Sequence, residues 1–216
     1  MDAKTEIETL REGLLEASLR HIPFDGWTDM AMAAGAKDAG LAPAQVARAC
    51  PKGVADLFDC FSVILNRRME VALEGHDLES LRIRDRIALA VRLRLEQNTP
   101  YREASRRAAG YLMLPQNAGV AARATWRTVD AIWRAIGDRS TDFNFYSKRS
   151  LLAGVYVSTF FYWLNDDSEG FADSWEFLDR RIANVLKIPK LRGEVKKRLG
   201  ALATPLRRFF PGRSGV

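Results

Sequence analysis

The run LLAGVYVSTFFYWL, Leu151–Leu164, constrains this chain more than any other feature. It is uncharged over fourteen residues, whereas a helix needs roughly 20 to span a bilayer. Being apolar all round, it must be covered on several sides by other parts of a protein. The chain around it supplies that cover as helices. No stretch alternates with the period-two pattern of an amphipathic strand.

Apolar residues instead recur at helical spacing between proline and glycine breaks. Ile7, Leu10, Leu14, Leu15 and Leu19 share one face over about Thr5–His21, and Pro23, Asp25 and Gly26 then break the chain. Short helices are expected over Thr28–Asp38, with Thr28 as N-cap, and over Ala44–Cys50. A longer one opens at Pro51. Segments follow over Leu78–Gln97, Tyr101–Gly110, Val120–Ile136 (closed by Gly137), Asp142–Leu164 and Phe171–Leu186. The expectation is an all-α domain of about nine helices. One protomer of this size has difficulty covering both the uncharged run and the apolar stripe Phe171, Trp175, Leu178, Ile182, Val185. A C2 homodimer built on these two helices is the economical solution, and a central core helix in a monomer is the alternative.

With 216 residues, 47% of them hydrophobic, the chain can bury a core without disulfides or metal. Its two cysteines, Cys50 and Cys60, read as small hydrophobes in a reducing compartment. The N-terminal MDAKTEIETL has neither the apolar core of a secretory signal nor the arginines of a transit peptide. The sequence therefore predicts a cytoplasmic setting. The net charge of +6 is unevenly placed: residues 187–216 hold nine Lys and Arg against Glu194, leaving the remainder at −2.

These residues bear on three chemistries. For catalysis, His21 and His76 stand far apart, outside any Glu-x-x-His pattern, and no zinc, nucleophile-elbow or phosphate-loop motif occurs. No catalytic residue, cofactor or metal is expected. For nucleic acid, FDGWTDMAMAAGAKDAGLAPAQVARAC resembles the amino-terminal helix-turn-helix module of TetR-type regulators. Its expected recognition helix offers bases only Gln45 and Arg48. A DNA-binding regulator with a hydrophobic ligand pocket is thus the alternative, and no nucleic-acid partner is expected. For membranes, the tail puts Leu191, Val195, Leu199, Leu202, Leu206 and Phe209 at helical spacing, with Lys196, Lys197 and Arg198 between them. That is the design of a helix lying in an anionic interface, and a docked or disordered basic terminus is the plainer reading.

The segments YLMLPQN (Tyr111–Asn117), WRTVDAIWRAIGDRSTDFNFYSKR (Trp126–Arg149), LAGVY (Leu152–Tyr156) and GFADSWEFLDRRI (Gly170–Ile182) resemble the Coq-nine family of ubiquinone-biosynthesis proteins, from about Leu14 to Ile182. The resemblance implies a TetR-like fold that has lost its DNA-reading role. It also implies a homodimer, a cavity for an isoprenoid quinone or phospholipid, and an amphipathic C-terminal helix on an anionic membrane. The implied partner is the demethoxyubiquinone hydroxylase, to which the protein would present its insoluble substrate without catalysing anything itself. The setting would be the inner membrane surface, on the matrix side in a mitochondrion.

Cavity candidates are the large apolar residues Leu112, Met113, Leu114, Trp126, Trp133, Tyr156, Phe160 and Trp163, although for any single one ordinary core is the plainer reading. Asp142, Phe145, Tyr146 and Arg149 are carried over as surface positions for the hydroxylase, although the family's pattern often shows tryptophan at Phe145. The organisation expected is a degenerate helix-turn-helix part over 1–50, a lipid-binding and dimerisation part over 51–188, and a membrane-contact tail over 189–216.

Overall fold

A computed structural model describes residues 3–138 and 143–185, so the basic tail with Leu191, Val195, Lys196, Lys197, Arg198, Leu199, Leu202, Leu206 and Phe209 lies outside the described residues, as does Asp142. Ten α-helices and no strand occur among the described residues: α1 (Ala3–Ser18), α2 (Ile22–Asp25), α3 (Asp29–Asp38), α4 (Pro43–Ala49), α5 (Val54–Glu74), α6 (Ile83–Glu96), α7 (Arg102–Met113), α8 (Ala118–Ala135), α9 (Phe143–Leu164) and α10 over residues 172–185. The all-α expectation holds. The additional helix is α2, a single turn in the stretch that Pro23 and Gly26 mark as a break. Proline is tolerated there because the first turn of a helix leaves its N–H groups unpaired in any case.

Local chemistry sets the boundaries. Thr28 caps α3 by accepting from the Ala31 N–H at 3.2 Å. Gly137, at φ +89°, ends α8, and the Asp138 N–H reaches back to the Trp133 carbonyl at 2.9 Å, which is the Schellman closure. The expected Leu78 start of α6 moves to Ile83, because Asp77 holds residues 77–80 in a turn by accepting from the Glu79 N–H at 3.2 Å.

Two apolar clusters fill the interior. One gathers Leu14, Ile22, Trp27, Leu57, Phe58, Phe61, Ala104, Ala108 and Ala124, joining α1–α4 to the first half of α5, to α7 and to the start of α8. The other gathers Met69, Val91, Leu95, Val129, Ile132, Trp133, Tyr156, Trp163, Leu178 and Ile182, drawn from the rest of α5, from α6 and from α8–α10. Both reduced cysteines belong to the first region, Cys50 fully buried and Cys60 half-buried.

The last turns of α9, uncharged from Ser150 on, cannot satisfy their own C-terminal carbonyls, and α7 does so for them. Arg102 Nη2 donates to the carbonyls of Trp163 at 3.1 Å and Leu164 at 3.2 Å, and Arg106 Nη2 donates to Leu164 at 2.6 Å. Cations at a helix C-terminus also meet the negative end of its dipole. Asp166 then opens α10, accepting from the Ser168 and Ser174 N–H groups at 2.8 and 2.9 Å. Burial alone would raise its pKa, but the hydrogen bonds from Ser168 and Ser174 outweigh that and hold the carboxyl at about 2.

α1 and α3 cross closely at Gly35. A Cβ placed on Gly35 would lie 2.6 Å from the Ser18 backbone nitrogen and 2.7 Å from its Cα. Gly35→Ala is therefore expected to destabilise the fold by about 1–3 kcal/mol, despite alanine's better helix propensity. Urea denaturation followed by circular dichroism checks this; a more stable variant would mean that the two helices do not cross as described.

Candidate functional site

A cavity of about 230 Å³ opens where the two apolar clusters meet. Phe58, Phe61 and Ser62 of α5 form one wall. Arg94 of α6 and Asn98 just beyond it lie across from Ser105, Ala108, Ala109, Leu112 and Met113 of α7. Ala121, Ala124, Thr125 and Thr128 of α8, with Tyr156, Val157, Phe160 and Phe161 of α9, complete it. The cause of the space is side-chain size. Neighbouring helices α7 and α8 turn alanine, serine and threonine toward each other, and these side chains are too small to fill the gap between backbones held apart by Phe58, Phe61, Tyr156 and Phe160.

The polar side chains that line the cavity are mostly buried, and its exposed lining residues are apolar. Ser62, Arg94, Asn98, Ser105 and Thr128 are all buried, whereas Met113 is 74% exposed and Phe161 is also exposed. The buried group is partly self-satisfied. Arg94 Nε donates to Asn66 Oδ1 at 2.6 Å, and Ser105 Oγ donates to Asn98 Oδ1 at 3.3 Å. Burial pushes the Arg94 pKa down from its usual value.

Of the cavity candidates read from the sequence, Leu112, Met113, Tyr156 and Phe160 line it. The other four are placed elsewhere. Trp163 is fully buried in the solid core, where the Arg102 guanidinium lies 5.7 Å from its ring. Trp133 is buried beneath Lys148, whose ammonium stands 5.4 Å from the indole. Leu114 is exposed at the far side of α7, beside Trp27 and Tyr111. Trp126 is on the surface, stacked on Tyr146 at 6.1 Å and tilted against Phe145 at 6.4 Å.

That stack defines a second feature. Tyr146 is 61% exposed, Phe145 is half-buried beside it at 5.1 Å, and Trp126 completes an aromatic trio at the α8–α9 surface. The surface placement expected of Arg149 is corrected: it is 1% exposed. Its Nε donates to Asp130 at 2.7 Å, its Nη1 approaches Asp138 at 3.4 Å, and its guanidinium covers the Phe145 ring at 3.5 Å. Arginine suits this position because its planar fork bridges two carboxylates while its face stacks on an aromatic ring. It thus holds the trio from beneath.

Reactive chemistry is sparse. His21 Nε2 pairs with Asp38 at 2.7 Å and joins the end of α1 to the end of α3. The Cys60 thiol is pushed up to about 11, chiefly by burial and then by Glu12, which disfavours the nucleophilic thiolate. Among the described residues no group of three or more His, Cys, Asp or Glu is arranged to hold a metal, and no helix is long and apolar enough to cross a membrane. On α4, Gln45 Oε1 accepts from the Ala42 N–H at 2.8 Å, and Arg48 pairs with Glu6 at 3.5 Å. Both polar residues offered to bases are already engaged in the local fold, and the exposed remainder of that helix is Pro43, Ala44 and Ala47.

The architecture is shared with a TetR transcriptional regulator from Nitrosomonas europaea, whose crystal structure superposes with a TM-score of 0.63 over 82% of this chain and 98% of that one, at 18% identity. The molecule is thus an all-helical protein of TetR-like fold with an internal cavity. Residues 118–189 match the family described as COQ9. The mitochondrial ubiquinone biosynthesis protein COQ9 of Rattus norvegicus is 34% identical over 92% of this chain and 66% of its own length. That of Homo sapiens is 33% identical over 92% and 64%, and that of Drosophila melanogaster 34% over 90% and 61%. The chain belongs to the COQ9 family, and it spans slightly less than two thirds of the length of these relatives.

If small side chains create the cavity, filling it should strengthen the fold. Ala124→Leu is expected to stabilise the protein by about 0.5–2 kcal/mol, read as a rise in the thermal midpoint. A loss of about 1–3 kcal/mol, the signature of overpacking, would mean that the space is not available to a side chain.

Proposed function

We propose that this chain is a lipid-binding accessory protein of ubiquinone biosynthesis. It holds an isoprenoid quinone or phospholipid in the cavity between α5, α7, α8 and α9, and presents a quinone intermediate to the demethoxyubiquinone hydroxylase at a membrane surface. The observation that carries this reading is the cavity itself, largely apolar and open at Met113 and Phe161, in a chain of the COQ9 family. A polyprenyl tail gains roughly 0.8 kcal/mol per buried CH2, so an enzyme cannot wait for it in water. A protein offering an apolar hollow beside the bilayer lowers the barrier to its extraction.

The remaining parts fit this role. The aromatic trio Trp126, Phe145 and Tyr146 offers the hydroxylase a rigid anchor, since exposed aromatics supply large contact area at small entropic cost. The outer face of α9 and α10, where Tyr162 stands exposed and stacks on Phe177 at 4.5 Å, suits a homodimer contact. The basic sequence beyond residue 186 suits an anionic membrane, on the inner membrane surface. The bare α4 favours this reading over a DNA-binding regulator.

Deleting the gene and analysing the quinones tests the whole. Accumulated demethoxyubiquinone is expected; normal quinone with altered transcription would support a regulator instead. The docking assignment is tested by returning Tyr146→Lys. It should leave the stability within about 0.5 kcal/mol of wild type yet lose co-purification with the hydroxylase, and an intact complex would refute the patch.

A further inference from the structure

Arg94 lies on the buried stripe of α6 and is 3% exposed. Its Nε is taken by Asn66, but its Nη1 is enclosed without any partner. Among the described residues no carboxylate pairs with it, and the neighbour acting on it electrostatically is the Tyr156 phenol. A guanidinium stays protonated in proteins. The wall of a largely apolar cavity therefore contains a positive charge without a counter-charge, an arrangement strongly disfavoured unless an anion with hydrogen-bonding oxygens arrives.

The surroundings fit such an arrival. Asn98 lines the same cavity and adds amide N–H donors, and Ser62, Ser105 and Thr128 bring hydroxyls to it. The mouth at Met113 and Phe161 is apolar and open to the outside. We propose that the cavity binds an amphiphile head-first, with a carboxylate or phosphate head accepting from Arg94 Nη1 and a hydrocarbon chain leading out at Met113 and Phe161. This rests on the reading that the cavity takes a lipid, and of the two ligands proposed for it Arg94 favours the phospholipid, whose head carries an anionic phosphate, over the quinone, whose head is neutral. A neutral head would accept a hydrogen bond but leave the charge uncompensated. The arginine thus decides both which head enters and which end of the molecule lies deepest.

Three probes with the same twelve-carbon chain separate the contributions: dodecanoate, dodecyl phosphate and dodecanol, titrated into the delipidated full chain below their micellar concentrations. At least one anion is expected to bind about tenfold to a hundredfold more tightly than the alcohol, and which anion does so distinguishes a fatty-acid source from a phosphate source. Arg94→Met, which removes the charge but keeps the length, should bring that anion down to the alcohol's affinity and leave the alcohol unchanged. Equal binding of all three probes by the wild type overturns the proposal, as expected if a buried water already satisfies the guanidinium. Undiminished anion binding by a folded Arg94→Met overturns it too. The wild-type ratio stands as a test even if the variant fails to fold. Failure of all three probes to bind would overturn the lipid reading itself, and this inference with it.

Discussion

Everything in this fold depends on how α9, uncharged from Ser150 to Leu164, is fixed at both ends. α9 has no charged side chain after Arg149, so its position is set by that arginine near its beginning and by residues that reach it from α7 at its end. At its carboxyl end Arg102 and Arg106 of α7 satisfy the carbonyls of Trp163 and Leu164. Near its beginning Arg149 bridges Asp130 of α8 and Asp138 beyond it. Removing one partner from a buried ion pair costs about 3–5 kcal/mol, since the other charge is left uncompensated. These arginines therefore lock α7 and α8 onto one helix at fixed positions.

The cavity follows from that locking. With α7 and α8 held against α9, their alanines, Ser105 and the threonines face a space that they cannot fill, between the aromatic residues of α5 and α9. A freely sliding pair of helices would collapse onto such small side chains. Pinned helices do not. The same arginine that fixes the start of α9 also supports Phe145, so the aromatic trio at the surface and the hollow inside share one support.

The sequence made the helices legible because their evidence is local: the spacing of Ile83, Ile87, Val91 and Leu95, the cap at Thr28, and the glycine at residue 137. It also marked the weakness of α4 as a reader of DNA. The cavity was only half legible, for a physical reason. Large apolar residues are conspicuous in a sequence, but they fill space, and so Trp133 and Trp163 belong to the packed core. The hollow is made by Ala108, Ala109, Ala121 and Ala124, whose smallness matters only once the opposing helices are known. Arg94 did leave a signal, since it stands seven residues after Ile87 and three after Val91, on the stripe that packs inward. Arg149 misled in the opposite sense: a charged residue beside exposed aromatics looks superficial until Asp130 and Asp138 are seen to enclose it.

The central claim is that the interior of this helical shell is occupied by lipid. Native mass spectrometry of the full chain, purified without detergent, tests it most directly. The account predicts a folded population heavier than the polypeptide by the mass of a lipid, released at higher collision energy and identifiable after extraction. A folded protein found only at the mass of its bare chain, before and after incubation with lipid vesicles, would contradict it.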